Sequence, residues 1–334
     1  MMLKIRTFPR IHITLIGMNR EGYRINGGIG FSIASPTLNM RFEPDGQICV
    51  LDKRSQGFSK NELVRLNNHL NKVMKDKHLA EGFRCVIEES QTHSHFGFGT
   101  STMAYLSCIE ALLIINKREY TNDDVVNLSG RGGTSGIGIC TYFKGGFVFD
   151  TGVTNNVVRD LAPSSCLNGD DYRKPLLFKS ISLPGWEMGI CIPPIQNKTE
   201  DEEKAFFDKN CPIGQEAVEN ILYESVYSIS SSLLENDFNT FCQSVNSIQK
   251  TKWKSLERDL YGDELKTIES VIRKAGAKSV GMSSLGPLLY FFGEEIDGIV
   301  DRVNADLTGG QCYKTSFNNS GRILEYDGFN FCHI

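Results

Sequence analysis

The residues best suited to chemistry lie in a run of eight glycines within twenty-five positions, LSGRGGTSGIGICTYFKGGFVFDTG, Leu128 to Gly152. Arg131 stands inside the first glycine group, and two hydroxyl side chains, Thr134 and Ser135, follow it. Tight hairpin turning accounts for Gly145 and Gly146. It does not account for Gly130, Gly132, Gly133, Gly136 and Gly138 together, because an interior glycine costs roughly 0.5–1 kcal/mol relative to alanine. Close approach of the backbone to a phosphate does account for them. Arg131 would add a planar, permanently charged fork for phosphate oxygens.

Three further stretches carry the same kind of signal. In HSHFGFGTSTMAYLSCIEAL, Gly97 and Gly99 precede Thr100, Ser101 and Thr102 at the start of an amphipathic helix. Backbone N–H groups, the positive helix end and hydroxyl donors together make a phosphate cradle. It is not a Walker A loop, since no Gly-Lys-Ser/Thr follows. His93 and His95 share this loop. Without a third ligand they read as loop or substrate contacts rather than a metal site, and the metal ligands stay unassigned. In GMSSLGPLLYFF, Ser283, Ser284 and Gly286 stand between a strand and a second apolar segment. In PRIHITLIGMNREGYRINGGIGFSI, strand alternation puts Arg10, His12 and Thr14 on one face, opposite Ile11, Ile13 and Leu15. Asn26, Gly27 and Gly28 follow closely, so that polar face reads as a wall of the site.

The elements around these loops must come from a chain of 334 residues, 40% apolar, with a formal net charge of −4. Its Lys and Arg residues are scattered, which speaks against a nucleic-acid surface. The opening MMLKIRTFPRIHITLIG lacks the apolar core of a signal peptide and reads as an early strand. The most apolar helix, Met103–Ile115, is too short to span a bilayer and carries Glu110. The expectation is a cytoplasmic protein with no membrane partner. Ten cysteines are dispersed without a CxxC pair, so neither a disulfide framework nor a zinc site is expected.

Ser59 and Glu62 form a capping-box pattern ahead of a stripe of Leu63, Leu66, Leu70 and Val73, predicting a helix. A second helix covers Met103–Asn116, and a third starts near Thr121, with Asp123-Asp124 as capping residues. Strands are predicted at Ile11–Ile16, Gly30–Ala34, Gln47–Leu51, Phe83–Glu89, Ile139–Phe143 and Gly146–Asp150. Residues 155–185 read as a crossing connection. Beyond it come a strand at Trp186–Pro193, helices from about Glu200 to Ala275, and strands at Ala277–Met282, Leu288–Phe292 and Gln311–Phe317. Strands, then helices, then strands, without regular βαβ alternation, indicate two α+β domains.

The four loops, in this order, resemble the galactokinase, homoserine kinase and mevalonate kinase (GHMP) superfamily. The resemblance is closer to its β-ribofuranosylaminobenzene 5′-phosphate synthase branch. It rests on RIHITLI…NGGIGFSI, FGFGTSTMAYLS, the whole Leu128–Gly152 run, SSLGPLLYFF and NNSGR (Asn318–Arg322). The kinases carry a Pro-Ser-Gly-x-Asp element whose aspartate is the usual base. Laid over Thr134–Gly138, that position is Gly138, which cannot accept a proton, and the synthase branch also lacks the aspartate. That branch commonly has an arginine where Thr134 stands.

The resemblance implies an N-terminal ribosomal S5-like domain, placed at residues 1–165, and a C-terminal ferredoxin-like domain at 166–334. It implies decarboxylative ribosylation by a homodimer, with phosphoribosyl pyrophosphate as donor, a hydroxy- or aminobenzoate as acceptor, Mg2+ assisting and no ATP required. Arg131, His12 and Arg10 are the expected catalytic residues, with the glycines and hydroxyls of the four loops, and His95, around the substrates. Competing readings are an ATP-dependent small-molecule kinase with a relocated base, a C-glycoside synthase for a heteroaromatic carboxylate, and a silent sugar-phosphate sensor.

Overall fold

Alternation builds the first strand: along β1 (Leu3–Thr7), Leu3, Ile5 and Thr7 are buried while Lys4 and Arg6 face solvent. β2 (Arg10–Gly17) and β3 (Arg24–Ser32) are buried almost throughout, polar residues included. β4 (Leu38–Asp45), β5 (Cys49–Asp52), α1 (Lys60–Asp76) and β6 (Gly82–Ile87) come next. α2 (Thr100–Ile115), α3 (Asn122–Ser129) and α4 (Ile137–Lys144) lead to β7 (Phe147–Asp150) and the short β8 (Val153–Thr154). This computed structural model describes residues 2–155, 161–166, 173–326 and 329–331. Within the expected connection, positions 156–160 and 167–172 lie outside the described residues.

β9 (Leu177–Ile181) and β10 (Glu187–Ile192) precede a helical stretch. It holds α5 (Glu200–Asn210), α6 (Gln215–Tyr223), a π-helical turn at Glu224–Ser230 and α7 (Ser231–Leu234). α8 (Phe238–Ile248), α9 (Lys252–Asp259) and α10 (Gly262–Lys274) continue it. Then come β11 (Ser279–Met282), β12 (Leu289–Phe292), α11 (Ile296–Asp306), β13 (Gln311–Ser316), β14 (Ile323–Tyr326) and β15 (Phe329–Phe331).

The strands form three sheets. One has the order β15-β14-β1-β4-β6-β5, and a second runs β2-β3-β7-β9 with β8 beside β3. The third, β11-β12-β10-β13, is antiparallel throughout. Its order, with helices between β10 and β11 and between β12 and β13, is that of a ferredoxin-like split βαβ unit. Sheet membership does not divide at residue 165. β9 pairs with β7, and β14 returns to pair with β1, so both lie C-terminal to the expected boundary yet extend N-terminal sheets.

The helix starts follow the sequence closely. Ser59 Oγ accepts from the Glu62 N–H at 3.3 Å, and the Glu62 carboxylate accepts from Ser59 N–H at 2.8 Å. Thr121 and Asp124 form a second such box ahead of α3. The predicted strand Ile139–Phe143 is instead α4. Its Ile-Gly-Ile and aromatic content favours a strand locally, but Gly136 starts a helix in which Ile137 and Thr141 lie four apart. The Thr141 hydroxyl donates to the Ile137 carbonyl at 2.8 Å. Tertiary packing between α2, β3 and β7 outweighs a propensity scale of about 1 kcal/mol.

The alternation predicted for β2 breaks at one point. The β2–β3 register shifts between His12 and Thr14, where Ile13 is the extra residue of a bulge. One inserted residue exchanges the faces beyond it.

Candidate active site

The four loops converge on one pocket. It is lined by Arg10 and His12 of β2, by Gly97, Gly99, Thr100 and Ser101, by Arg131, Gly132, Thr134 and Ser135, and by Ser284 and Gly286. His95 also lines it. Because of the bulge, Leu15 replaces Thr14 on the pocket wall. Thr14 is buried elsewhere, donating to the Leu15 carbonyl at 2.8 Å.

The glycines do two different jobs. Gly99 caps α2 at φ +78°, and a Cβ there would stand 3.2 Å from the Arg10 side chain, which crosses it. This close approach aims the N-terminus of α2, with Thr100, Ser101 and Thr102, into the pocket as a ready anion site. Gly28 gives the His12 ring its room, since a Cβ would lie 3.2 Å from Cε1. Gly27 donates to the Thr134 carbonyl at 3.0 Å and, like Asn26 and Gly28, supports the pocket from behind. Gly130 caps α3, and Gly136 starts α4. Asn26, Gly27, Gly28, Gly130, Gly133, Gly136 and Ser283, expected around the substrates, are not among the residues that line this pocket. Ser283 is a strut: its hydroxyl donates to the Gly97 carbonyl at 2.8 Å and accepts from His12 N–H at 3.0 Å.

Thr134, at the position of the branch's arginine, is buried. Its hydroxyl donates to the Ala162 carbonyl at 2.6 Å, tying the glycine run to the segment around Ser164.

The electrostatics are those of a site prepared for anions. Arg10 is half-buried, and its Nη1 donates to the Gly97 carbonyl at 2.5 Å. Burial, then the neighbouring charge of Arg131, lowers its pKa to about 10, so it stays charged at neutral pH. The Arg131 guanidinium lies 5.4 Å from the centroid of the Tyr105 ring, a cation–π distance. Burial first, then Arg10 and Lys254, hold His12 well below the usual histidine value, so its ring is neutral. His12 Nε2 lies 3.3 Å from Ser135 Oγ, and that hydroxyl donates to Asp150 Oδ2 at 3.1 Å. Asp150 also accepts from the Gly136 N–H at 3.0 Å, and burial pushes its carboxyl up to about 7.

The opposite wall belongs to the C-terminal half and was not anticipated. α5 contributes Glu200, Glu203 and Phe207, α9 contributes Glu257, and the late loop adds Leu285. Lys254 Nζ, fully buried, donates to Glu257 at 2.5 Å and to the Met282 carbonyl at 2.8 Å, so it fixes the loop that carries Ser283 and Ser284. The acidic run EDEEK at the start of α5 reads as a solvated helix face, and only its register on the helix could have marked Glu203 and Phe207 as partners four apart. Gly138 lines the pocket at the kinase aspartate position. Among the described residues no group of three or more His, Cys, Asp or Glu side chains could hold a metal ion. None of the described helices is long and apolar enough to cross a membrane.

This is the GHMP-kinase fold. A homoserine kinase from Cytophaga hutchinsonii superposes with a TM-score of 0.67 at 13% identity, covering 97% of both chains. The mevalonate kinase of L. major gives 0.67 at 15%, over 95% of this chain and 96% of that one. No protein-family model matches the chain. In sequence, it is similar over 96–97% of its length to archaeal proteins named β-ribofuranosylphenol 5′-phosphate synthase. It is 28% identical to that of Methanothermobacter thermautotrophicus, covering 96% of this chain and 98% of the relative. It is 29% identical to that of Methanocaldococcus jannaschii, covering 96% and 99%. The resemblance to the synthase branch therefore extends well beyond the four loops.

Proposed function

We propose that the protein is a decarboxylating C-ribosyltransferase, joining phosphoribosyl pyrophosphate to a hydroxy- or aminobenzoate with release of CO2 and pyrophosphate. The observation that carries this reading is the pocket's composition. Arg10, Arg131, the α2 N-terminus and hydroxyl donors line one pocket with Gly138, where the resemblance places a kinase's base. A leaving pyrophosphate needs fixed cations and dipoles, not a base, at the position where its charge develops. The names of the relatives, which end in ribofuranosylphenol 5′-phosphate, favour a hydroxybenzoate over an aminobenzoate.

In this mechanism Arg131 and Arg10 bind the phosphates, and Thr100, Ser101 and Ser135 orient them by hydrogen bonding. C1 of the ribose becomes oxocarbenium-like as the C1–O bond breaks. The ring carbon bearing the carboxylate attacks it, and loss of CO2 restores aromaticity; holding the two reactants face to face is the main task left to the protein. Mg2+ is proposed from the resemblance. The described side chains do not form a cage for it, so the ion would be held by the donor's phosphates, as Mg2+ commonly is. A homodimer is proposed on the same ground, and a cytoplasmic location on the sequence features described above.

The test is incubation with phosphoribosyl pyrophosphate, Mg2+ and a panel of aromatic acids, following CO2 and pyrophosphate. ATP is neither consumed nor needed on this reading. ADP release that depends on a small alcohol would restore the kinase alternative.

A further inference from the structure

The pocket's lining is of two kinds. The arginines, the glycine loops and the α2 N-terminus make up one. Leu15, Phe207 and Leu285, together with three glutamates, make up the other. Two of those glutamates are occupied. Glu200 accepts both guanidinium nitrogens of Arg65 at 2.7 and 3.0 Å. Glu257 accepts from Lys254 and, at 2.7 Å, from Trp253 Nε1. Among the described residues no side-chain hydrogen bond or ion pair engages Glu203. It lies one helical turn before Phe207 on α5, and both side chains line the pocket.

We propose that the acceptor ring packs against Leu15, Phe207 and Leu285, and that Glu203 is the base that takes the proton from its para hydroxyl. This rests on the ribosyltransfer reading above. A para oxygen that loses its proton pushes electron density to the ring carbon bearing the carboxylate. That carbon forms the new bond to C1 as pyrophosphate leaves with the C1–O electron pair. The ring is then a cyclohexadienone. The C–CO2 bond breaks, its electron pair returns to the ring, and CO2 departs. The phenoxide so formed takes back the proton from Glu203, so the carboxylate is regenerated and no other reactant is needed.

The surroundings suit the role. Glu203 is faced by Arg10 from β2, His95 from the loop before α2, Glu200 from its own helix, and Glu257 and Tyr261 from α9 and the turn after it. Burial pushes its carboxyl up to about 7, with the charge of His95 opposing. A base whose pKa lies near the working pH is the effective kind.

The experiment compares wild type, Glu203→Gln and Glu203→Asp with 4-hydroxybenzoate and with 4-aminobenzoate, whose nitrogen needs no deprotonation to donate. Glu203→Gln is expected to lose about 100-fold or more in kcat/KM on the hydroxy acid, the usual range for a positioned base, and much less on the amino acid. With the hydroxy acid the wild-type rate is expected to fall below about pH 7; that fall should vanish in Gln and persist, at reduced rate, in Asp. Equal losses on both acids would overturn the assignment. If wild type ribosylates neither acid, the proposed function itself fails. Calorimetric binding then decides the subsite alone: a preference for 4-hydroxybenzoate over benzoate that survives Glu203→Gln rules it out, and one that disappears supports it.

Discussion

Two arginines of this molecule, Arg322 and Arg10, are treated oppositely by the fold around them. Arg322, in the NNSGR segment, is enclosed with Glu110 of α2, which accepts from its Nε at 3.0 Å and its Nη2 at 2.5 Å. Tyr142 and Tyr120 hydroxyls complete the carboxylate's shell at 2.7 and 3.1 Å, and the Phe143 ring lies 4.9 Å from the guanidinium. Every strong group there has a partner. Among the described residues the Arg10 side chain donates only to the Gly97 carbonyl, and the strongest charge effect on it comes from the like charge of Arg131, with Glu203 opposing. The first arrangement joins the C-terminal strands to α2. The second sets two like charges against each other at a pocket, with no carboxylate in an ion pair with Arg10 among the described residues, which is what a site for a polyanion requires. A segment shared with an enzyme family can therefore be shared for architecture, as Arg322 is, as well as for chemistry.

The largest effect should come from breaking the satisfied pair. Glu110→Ala leaves the Arg322 charge and two tyrosine hydroxyls buried without their acceptor. Removing one partner of a buried ion pair costs about 3–5 kcal/mol, to be read from denaturant unfolding, while activity per folded molecule should be unchanged. The reverse pattern is expected for Arg131→Ala. Its melting temperature should stay near wild type, and kcat/KM should fall by an amount equivalent to roughly 2–4 kcal/mol, by analogy with loss of an oxyanion donor. If Arg131→Ala loses stability and keeps its activity, the contrast between the two regions collapses.

The same contrast explains what could be read in advance. Gly97–Ser101 and Gly130–Ser135 announce themselves because glycine and hydroxyl residues crowd into a few consecutive positions. Ser59 and Thr121 do so because a cap is decided within four residues. The bulge at Ile13 leaves no local mark, so Leu15 rather than Thr14 reached the pocket unannounced. Glu203 stands in an acidic run whose Glu202 is fully solvated, and only the docking of α5 selects which glutamate turns inward. Asp150 looks like the polar end of a strand, and its role behind Ser135 depends on a turn fifteen residues earlier. The α4 segment was misread because its β-branched residues serve a helix held in place by long-range packing.

A smaller effect tests the charge at the centre of the pocket. Gly138 does not have a left-handed backbone, and a Cβ there would lie 3.3 Å from the Thr102 methyl, a tight but adjustable contact. Gly138→Asp and Gly138→Asn should therefore crowd Thr102 alike. Only Asp adds a negative charge beside the donor's phosphates. At about 4 Å and an effective dielectric near 20 that repulsion is roughly 4 kcal/mol before screening, so donor binding should weaken well beyond the Asn variant. Equal binding by the two would mean that the phosphates lie elsewhere.

The smallest effect concerns the pair at the pocket rim, His95 with Glu62, whose Nε2 and Oε1 are 2.5 Å apart. The Glu62 hydrogen bond raises the His95 pKa, burial opposing. Burial would raise Glu62, but the hydrogen bonds from His95 and Ser59 outweigh it and hold the carboxyl at about 2. The two groups bound a pH window from opposite sides. His95 contributes stability that is complete below its unfolded value, about 6.5, and is lost as pH rises through its higher folded value. Glu62 contributes stability present above its unfolded value and lost as pH falls toward about 2. The pair should help most near pH 5–6. His95→Asn isolates the histidine's part: Asn tolerates the positive φ of 58° at this position, and Glu62 keeps its role in capping α1. The difference in melting temperature between wild type and His95→Asn should be largest near pH 5.5 and should shrink steadily toward pH 9. A difference that stays flat across that range would mean His95 is neutral in the folded protein, and the rim of the pocket would then carry one positive charge fewer than its geometry requires.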